Sequence, residues 1–178
     1  MKKTKKSAKG TFSVMENIPS EKYLTFSIDR QLYTLPTSQV VEIIRLQPIT
    51  LMPNLPDYVK GVINLRGKIV PLIDMRLKFS KEPIPYDNLT SIIIVESGEM
   101  TAGLIVDSVQ DVRDVAKSQI FDAPKYKKSV GDRYVSAIVS LEKESAMVLD
   151  IARVFSERGA DSASDHHPAD QMLKTAAE

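Results

Sequence analysis

Residues 61–76 read GVINLRGKIVPLIDMR and set a lone arginine, Arg66, between two apolar runs. The runs 62–65 and 69–73 are predicted to form strands on either side of a turn at Arg66. Pro71 has no backbone N–H to donate, which indicates an edge or a bulge in the second strand. The polar insert around Arg66 is therefore either a plain turn, with a glycine at positive φ, or a surface that another molecule reads.

The chain on both sides of this stretch also has the patterns of short strands. At 24–28, apolar and polar residues alternate with the period of two expected for a half-buried strand. Thr37 is predicted to cap a short helix over 40–44, and a short edge strand is predicted at 49–52, where prolines punctuate the chain. Further strands are predicted at 32–35, 92–95, 100–106, 135–141 and 146–149, followed by a short helix at 151–155. The spacing at 109–115 fits either a strand or a helix, and a strand is favoured.

Many short strands with few helices predict an all-β fold of two small barrels. The barrels are predicted to lie before and after a polar, proline-bearing linker at 81–88, although no sequence repeat is evident between the two halves. The ordered domain is expected to span 21–157. Residues 1–20 are interpreted as a flexible basic arm, and 158–178 as a flexible tail with a short helix near Met172.

The bulk composition indicates a cytoplasmic, soluble protein. Its 178 residues carry 24 basic and 23 acidic side chains, so no global field points to nucleic acid or acidic lipid. There are no cysteines, which excludes disulfides and thiolate chemistry. No apolar core of a signal peptide follows the basic N-terminus, and no apolar run is long enough to cross a bilayer.

The sequence shows no catalytic or metal-binding constellation. We therefore predict that the protein is not an enzyme and needs no cofactor. The two histidines, His166 and His167, lie together in the tail, far from any predicted strand. Asp74 and Asp107 each follow an apolar strand and are interpreted as caps of the next turn rather than as a carboxylate pair. The glycines form neither a phosphate loop nor a dinucleotide fingerprint.

The lysines of the N-terminal arm leave one alternative open, a small β-barrel protein that binds nucleic acid. The arm has no aromatic or arginine residues interleaved with its lysines, so it would bind only weakly and in a salt-sensitive way. A solvated arm is the favoured interpretation.

Five segments between residues 23 and 155 form one set of motifs. The most specific are Gly-Val-Ile-Asn-Leu-Arg-Gly at 61–67 and Val-Pro-Leu-Ile-Asp at 70–74, and the others are Tyr-Leu-Thr-Phe at 23–26, Val-Val-Glu-Ile at 40–43 and Gly-Leu-Ile-Val-Asp-Ser-Val at 103–109. In order and spacing these motifs resemble those of the CheW family, the coupling proteins of bacterial chemotaxis.

This resemblance implies two small SH3-like β-barrel subdomains packed on a shared apolar core. It also implies a non-catalytic scaffold that couples the cytoplasmic tips of chemoreceptors to the regulatory domain of the histidine kinase CheA. Such a scaffold works in the cytoplasm, within receptor arrays beneath the inner membrane, and inserts into no membrane itself.

The resemblance also implies which residues meet each partner. Val40, Glu42 and Gly61 match positions linked to kinase binding in the family. Receptor binding is implied for three further residues: Arg66, Val109 and Val112. Without the family, Val40 and the two later valines would be interpreted as core, and Glu42 as an exposed charge.

Overall fold

A computed structural model describes residues 20–123 and 130–156 of the chain. These residues form eleven β-strands, two short α-helices and three 3-10 turns. The strands are β1 Ser20–Ile28, β2 Gln31–Pro36, β3 Val40–Arg45, β4 Val59–Leu65, β5 Lys68–Asp74, β6 Ser91–Ser97, β7 Met100–Val106, β8 Ser108–Ala116, β9 Ile120–Asp122, β10 Val135–Ser140 and β11 Ser145–Leu149. The helices are α1 Met75–Lys78 and α2 Ile151–Ser156. The predicted all-β class with a few short helices is confirmed.

The strands form two sheets, which we call sheet A and sheet B. Sheet A has the order β8-β1-β2-β11-β10-β9, and sheet B has the order β3-β6-β7-β5-β4. The prediction that the linker at 81–88 divides the chain into its two barrels is therefore wrong. Sheet B is one contiguous block, β3 to β7, whereas sheet A combines β1 and β2 with β8 to β11. The linker lies inside the sheet B block because β6 and β7 pair back onto strands that precede it.

The two sheets contain a structural repeat that the sequence does not make evident. In the β4–β5 hairpin Val59 pairs with Ile73, and 76 residues later (59 to 135, 73 to 149) Val135 pairs with Leu149 in the β10–β11 hairpin. Both hairpins have a bulge after that first pair, and both second strands pair in parallel with a strand from elsewhere in the chain, β7 or β2. Few identical residues mark the repeat because apolar side chains of different kinds fill equivalent core positions.

One apolar core joins the two sheets. Leu24 and Phe26 of sheet A and Ile93 and Leu104 of sheet B belong to the same buried cluster, together with side chains of both helices. Sheet B has a second cluster on its other face, built around Ile92. The implied arrangement, two subdomains on a shared apolar core, is confirmed at the level of these sheets and clusters.

The segment at 40–44 is a strand, so the predicted helix is wrong. Only Thr37–Gln39 forms a single 3-10 turn, and β3 then pairs antiparallel with β6 along its length. The side chains of this segment are mostly β-branched, which fits a pleated surface better than a helix. Apolar residues at 40, 41, 43 and 44 satisfy both periods over so short a run, and the pairing with β6 decides between them.

Several other predictions can be compared with the structure. The strand at 49–52 is reduced to a single bridge between Thr50 and Val62. Pro71 sits where β5 has only β4 as a neighbour, because pairing with β7 begins at Leu72. Two elements were not predicted, α1 and β9. The basic arm, the tail and the helix near Met172 lie outside the described residues, so those predictions stay untested.

Candidate partner-binding surfaces

The turn between β4 and β5 displays Arg66. Arg66 has φ 53° and Gly67 has φ 87°, the two positive values of a type I′ hairpin turn, whose twist matches that of the flanking strands. The side-chain oxygen of Asn64 accepts a hydrogen bond of 2.8 Å from the backbone N–H of Gly67, which closes the turn. The plain-turn interpretation is thus correct for the backbone, and the Arg66 side chain is exposed.

Arg66 reaches across to β3 and forms an ion pair with Glu42. Its Nη2 donates to Oε2 of Glu42 at 2.8 Å, and the two side chains are 78% and 21% exposed. The structure therefore brings together one residue implied to bind the kinase and one implied to bind the receptor. An ion pair this exposed stabilises the fold by about 1 kcal/mol at most, so both groups can exchange partners at small energetic cost.

The edge strand β3 presents apolar side chains on the face opposite Glu42. Val40 is half-buried against the shared core, while Val41 and Ile43 are 50% and 43% exposed. A register shift between Val40 and Glu42 marks a bulge in β3 at Val41. Val41 and Ile43 were missed because 40–44 was interpreted as a helix. Strand alternation would have placed both on the face opposite Glu42.

Gly61 is buried and has no surface to offer a partner. Its φ is +133°, and a Cβ at this position would lie 2.2 Å from the carbonyl oxygen of Thr50. The segment around Thr50 packs here by exchanging two backbone hydrogen bonds of 2.9 Å with Val62. The glycine is needed because another stretch of backbone lies against it.

Val109 and Val112 lie on β8, the edge strand of sheet A. A bulge in the β1–β8 pairing places Val112 opposite Leu24 and Val109 opposite Phe26, so the two valines share one face despite their spacing of three. Val109 is half-buried against the shared core and Val112 is 52% exposed. The sequence alone could not place them on one face, because regular alternation would put them on opposite faces.

Thr25 and Asp111 hold the bulge that aligns these valines. The buried hydroxyl of Thr25 donates to the backbone carbonyl of Asp111 at 2.9 Å and also contacts its carboxylate. The hydrogen bond from Thr25 is the main cause that lowers the pKa of Asp111 below its usual range, and Arg113 lowers it further. The bulge is therefore specified by side chains as well as by backbone pairing.

The two edge strands occupy equivalent places in the two sheets. β3 flanks β6 at one end of sheet B, and β8 flanks β1 at one end of sheet A. Inward from these edges, both sheets continue with an antiparallel neighbour, a parallel pair and the repeated hairpin. Most of the residues implied for kinase binding thus lie on β3, and most of those implied for receptor binding lie on β8. These two strands correspond to each other in the duplicated architecture.

Asp74 and Asp107 do not form a carboxylate pair. Oδ1 of Asp74 accepts from the first backbone N–H groups of α1, which confirms its predicted role as a cap, and its Oδ2 accepts from the hydroxyl of Tyr86 at 2.7 Å. Burial and this hydrogen bond raise the pKa of Tyr86. Asp107 instead binds Arg76 with both carboxylate oxygens, and these hydrogen bonds raise the pKa of the guanidinium.

Within 20–123 and 130–156, no group of three or more His, Cys, Asp or Glu side chains is placed to hold a metal ion. The same part of the chain contains no helix long and apolar enough to span a membrane. His166 and His167 lie outside it.

Comparisons with known proteins identify the family. The CheW-like domain model matches residues 22–159. The chemotaxis protein CheW of Klebsiella aerogenes is 33% identical over 136 residues, which cover 76% of this chain and 82% of the relative. The chemotaxis protein CheW of Bacillus subtilis is 32% identical over 143 residues, covering 80% and 92%. The crystal structure of the scaffolding protein TtCheW from Thermoanaerobacter tengcongensis matches with a TM-score of 0.74 at 30% identity, covering 81% of this chain and 98% of that one.

Two sheets joined by one apolar core define a small all-β protein. The family match makes the class specific: the chain belongs to the CheW family of chemotaxis proteins. The SH3-like character of the two subdomains is consistent with the fold of that family.

Proposed function

We propose that this protein is a non-catalytic scaffold that couples the cytoplasmic tips of chemoreceptors to the histidine kinase CheA. It binds the CheW-like regulatory domain of the kinase and the signalling tip of the receptor, and so places kinase activity under receptor control. It works in the cytoplasm at membrane-bound receptor arrays. Membership of the CheW family supports this function.

The observation that carries the proposal is the pair of equivalent edge strands, β3 and β8. Each is the edge of a different sheet, and each presents exposed apolar surface, from Val41 and Ile43 on β3 and from Val112 on β8. A protein that joins two partners needs two binding surfaces on one rigid body, and the shared core provides the rigidity. The kinase is proposed to bind at the β3 edge, and the receptor at the β8 edge together with Arg66.

The kinase surface is proposed around β3. Val41 and Ile43 supply apolar anchors, and Glu42 supplies charge at the rim, the composition expected of a modest protein interface. Val40 supports the strand from the core side. Gly61 acts indirectly, because it allows the segment around Thr50 to pack against β4.

The receptor surface is proposed to combine Arg66 with the two valines of β8. The guanidinium can form bidentate hydrogen bonds with carboxylates or carbonyl oxygens of a receptor helix. Val112 is exposed to meet an apolar helix face, and Val109 lies beside it against the core. Because Arg66 holds Glu42 in the free protein, a receptor that takes the guanidinium releases a carboxylate on the kinase surface.

Binding is tested with the kinase regulatory domain and a receptor signalling fragment, each alone and both together, and control of kinase activity is tested with the full-length kinase and the receptor fragment. The variant Arg66→His is expected to keep its fold by circular dichroism and to reduce receptor-dependent control of kinase activity about 10-fold or more, since a charged hydrogen-bonding group is lost from the interface. Arg30→His is the matched control. Arg30 is also an exposed turn arginine, with φ 63°, so both substitutions carry similar backbone strain.

Two outcomes would contradict the proposal. Binding of the wild-type protein to neither partner would remove the scaffold function as a whole. Equal coupling by Arg66→His and wild type would remove only the role of Arg66.

A further inference from the structure

The chain passes from one sheet to the other at two places in the described residues. The first passage, from β2 to β3, uses the 3-10 turn Thr37–Gln39. The second uses one residue, Asp107, which lies between the end of β7 in sheet B and the start of β8 in sheet A. The placement of β8 relative to sheet B therefore depends on the conformation at Asp107.

Arg76 holds Asp107 from the sheet B side. Its Nε and Nη2 donate to the two carboxylate oxygens of Asp107 at 2.7 and 2.8 Å, in the bidentate geometry that most restricts both groups. Its Nη1 reaches Asp29 at 3.4 Å and the carbonyl oxygen of Glu82 at 3.2 Å. The Arg76 side chain is only 12% exposed, so water screens these contacts weakly.

Sheet A holds Asp107 from the opposite side. The backbone N–H of Asp107 donates to the carbonyl oxygen of Ser27 at 3.1 Å, and its carboxylate accepts from the backbone N–H of Asp29 at 2.8 Å. One residue further, the hydroxyls of Ser27 and Ser108 lie 2.8 Å apart. The contacts of Asp107 thus tie the start of β8 both to the β1–β2 hairpin and to α1.

The structural repeat shows that the contacts between Arg76 and Asp107 are not needed to build a barrel. In the equivalent hairpin and helix, 76 residues later (76 to 152), the residue that corresponds to Arg76 is Ala152. Both units contain the hairpin, the short helix and the aspartate that directly precedes the helix. Only the first unit has, in this helix, an arginine that binds Asp107. Its contacts run between the sheets, not within the unit that repeats.

We propose that Arg76 is a positioning residue, which acts through Asp107 to fix the receptor-facing strand β8 relative to sheet B, which carries both the proposed kinase surface and Arg66. The role in partner binding rests on the proposed function. Arg76 touches neither proposed surface itself. It sets the relation between them by holding the residue at which the chain crosses from one sheet to the other.

A first experiment needs no partner. Amide hydrogen exchange is measured for wild type, Arg76→Lys, Arg76→Gln and the double variant R76Q/D107N, which leaves no buried charge unpaired. The amides of Asp29, Asp107 and β8 are expected to exchange about 10-fold faster in each variant, while the central strands β6 and β7 keep their rates. Arg153→Gln is the matched control, because Arg153 pairs with Asp150 at 3.1 Å within its own subdomain.

Two exchange results would overturn the positioning role. One is unchanged exchange in all three variants. The other is a rise of the same size in every strand, which is what a merely structural contribution to global stability produces.

A second experiment measures each partner separately. Arg76→Lys is expected to bind the kinase regulatory domain within about 2-fold of wild type and the receptor fragment about 10-fold more weakly. Equal loss for both partners, or for neither, would overturn the proposal. If wild type binds neither partner, the scaffold function fails, and the exchange measurement alone decides the positioning role.

Discussion

At the scale of single residues, Gly61 is held by backbone packing and not by an exposed surface. We predict that Gly61→Ala lowers the free energy of unfolding by about 2–4 kcal/mol, because the new Cβ meets the Thr50 carbonyl and the residue keeps a positive φ. Gly67→Ala is the control, since it has φ +87° but open space around it, and should cost about 1 kcal/mol. Urea denaturation measures both. Equal losses would show that the approach of Thr50 is unimportant.

Tyr33 gives a pH-dependent prediction at the same scale. Burial raises its pKa from 10.0 to about 12, and nearby Asp132 and Asp29 act in the same direction. The folded state binds this proton more tightly, so the stabilisation is complete below pH 10 and is lost as the pH rises toward 12. Between pH 9 and pH 12, the free energy of unfolding should therefore fall by about 2 kcal/mol less in Tyr33→Phe than in wild type, as measured by urea denaturation. An identical pH dependence in both proteins would contradict this.

The sequence allows some residues to be predicted and hides others. Arg66 stands out because a charge interrupts two apolar runs, and the structure places it on an exposed turn. Arg76 does not stand out, because an arginine after a strand is ordinary and its partner Asp107 lies 31 residues away. A contact made across two sheets leaves no local pattern in the sequence.

At the scale of elements, the two helices begin at equivalent aspartates that accept different numbers of hydrogen bonds. Asp74 accepts from the N–H groups of Arg76 and Leu77 and also from the hydroxyl of Tyr86. Asp150 accepts from one backbone N–H, that of Arg153, at 3.1 Å. We predict that Asp74→Ala costs about 2–3 kcal/mol and Asp150→Ala about 1 kcal/mol, measured by thermal unfolding. The reverse order would contradict this assignment of caps.

Hairpin strands that pair with a near neighbour in the sequence were predictable, whereas β3, which is fixed by a distant partner, was not. Apolar runs on either side of a turn predict the hairpins β4–β5, β6–β7 and β10–β11. β3 was mistaken for a helix because its partner β6 begins 46 residues after β3 ends (45 to 91). β9 has only three residues, too few to show any period.

At the scale of the whole molecule, the shared core predicts cooperative unfolding. Side chains from both sheets and both helices meet in one buried cluster, so neither sheet keeps a complete core without the other. We predict one urea transition, coincident by far-UV circular dichroism and by tyrosine near-UV circular dichroism. Two separate transitions would show that the subdomains are independent.

The fold class could be predicted from strand-rich patterning, but the division into subdomains could not. The linker at 81–88 looks like a boundary because it is polar and rich in proline. It is instead a loop within sheet B, tied back by the Tyr86 hydroxyl on Asp74. Domain boundaries depend on which strands pair, and composition alone does not carry that information.

The unequal construction of the two sheets has a consequence for the order of events during synthesis. Sheet B can assemble once residue 106 has left the ribosome, because its five strands are contiguous. β1 and β2 are made first, but β1 must wait for its neighbour β8, and β2 must wait for its parallel neighbour β11, which is among the last strands translated. The β1–β2 hairpin therefore spends most of translation with unpaired edges, and it is the segment that a nascent-chain chaperone would most usefully cover.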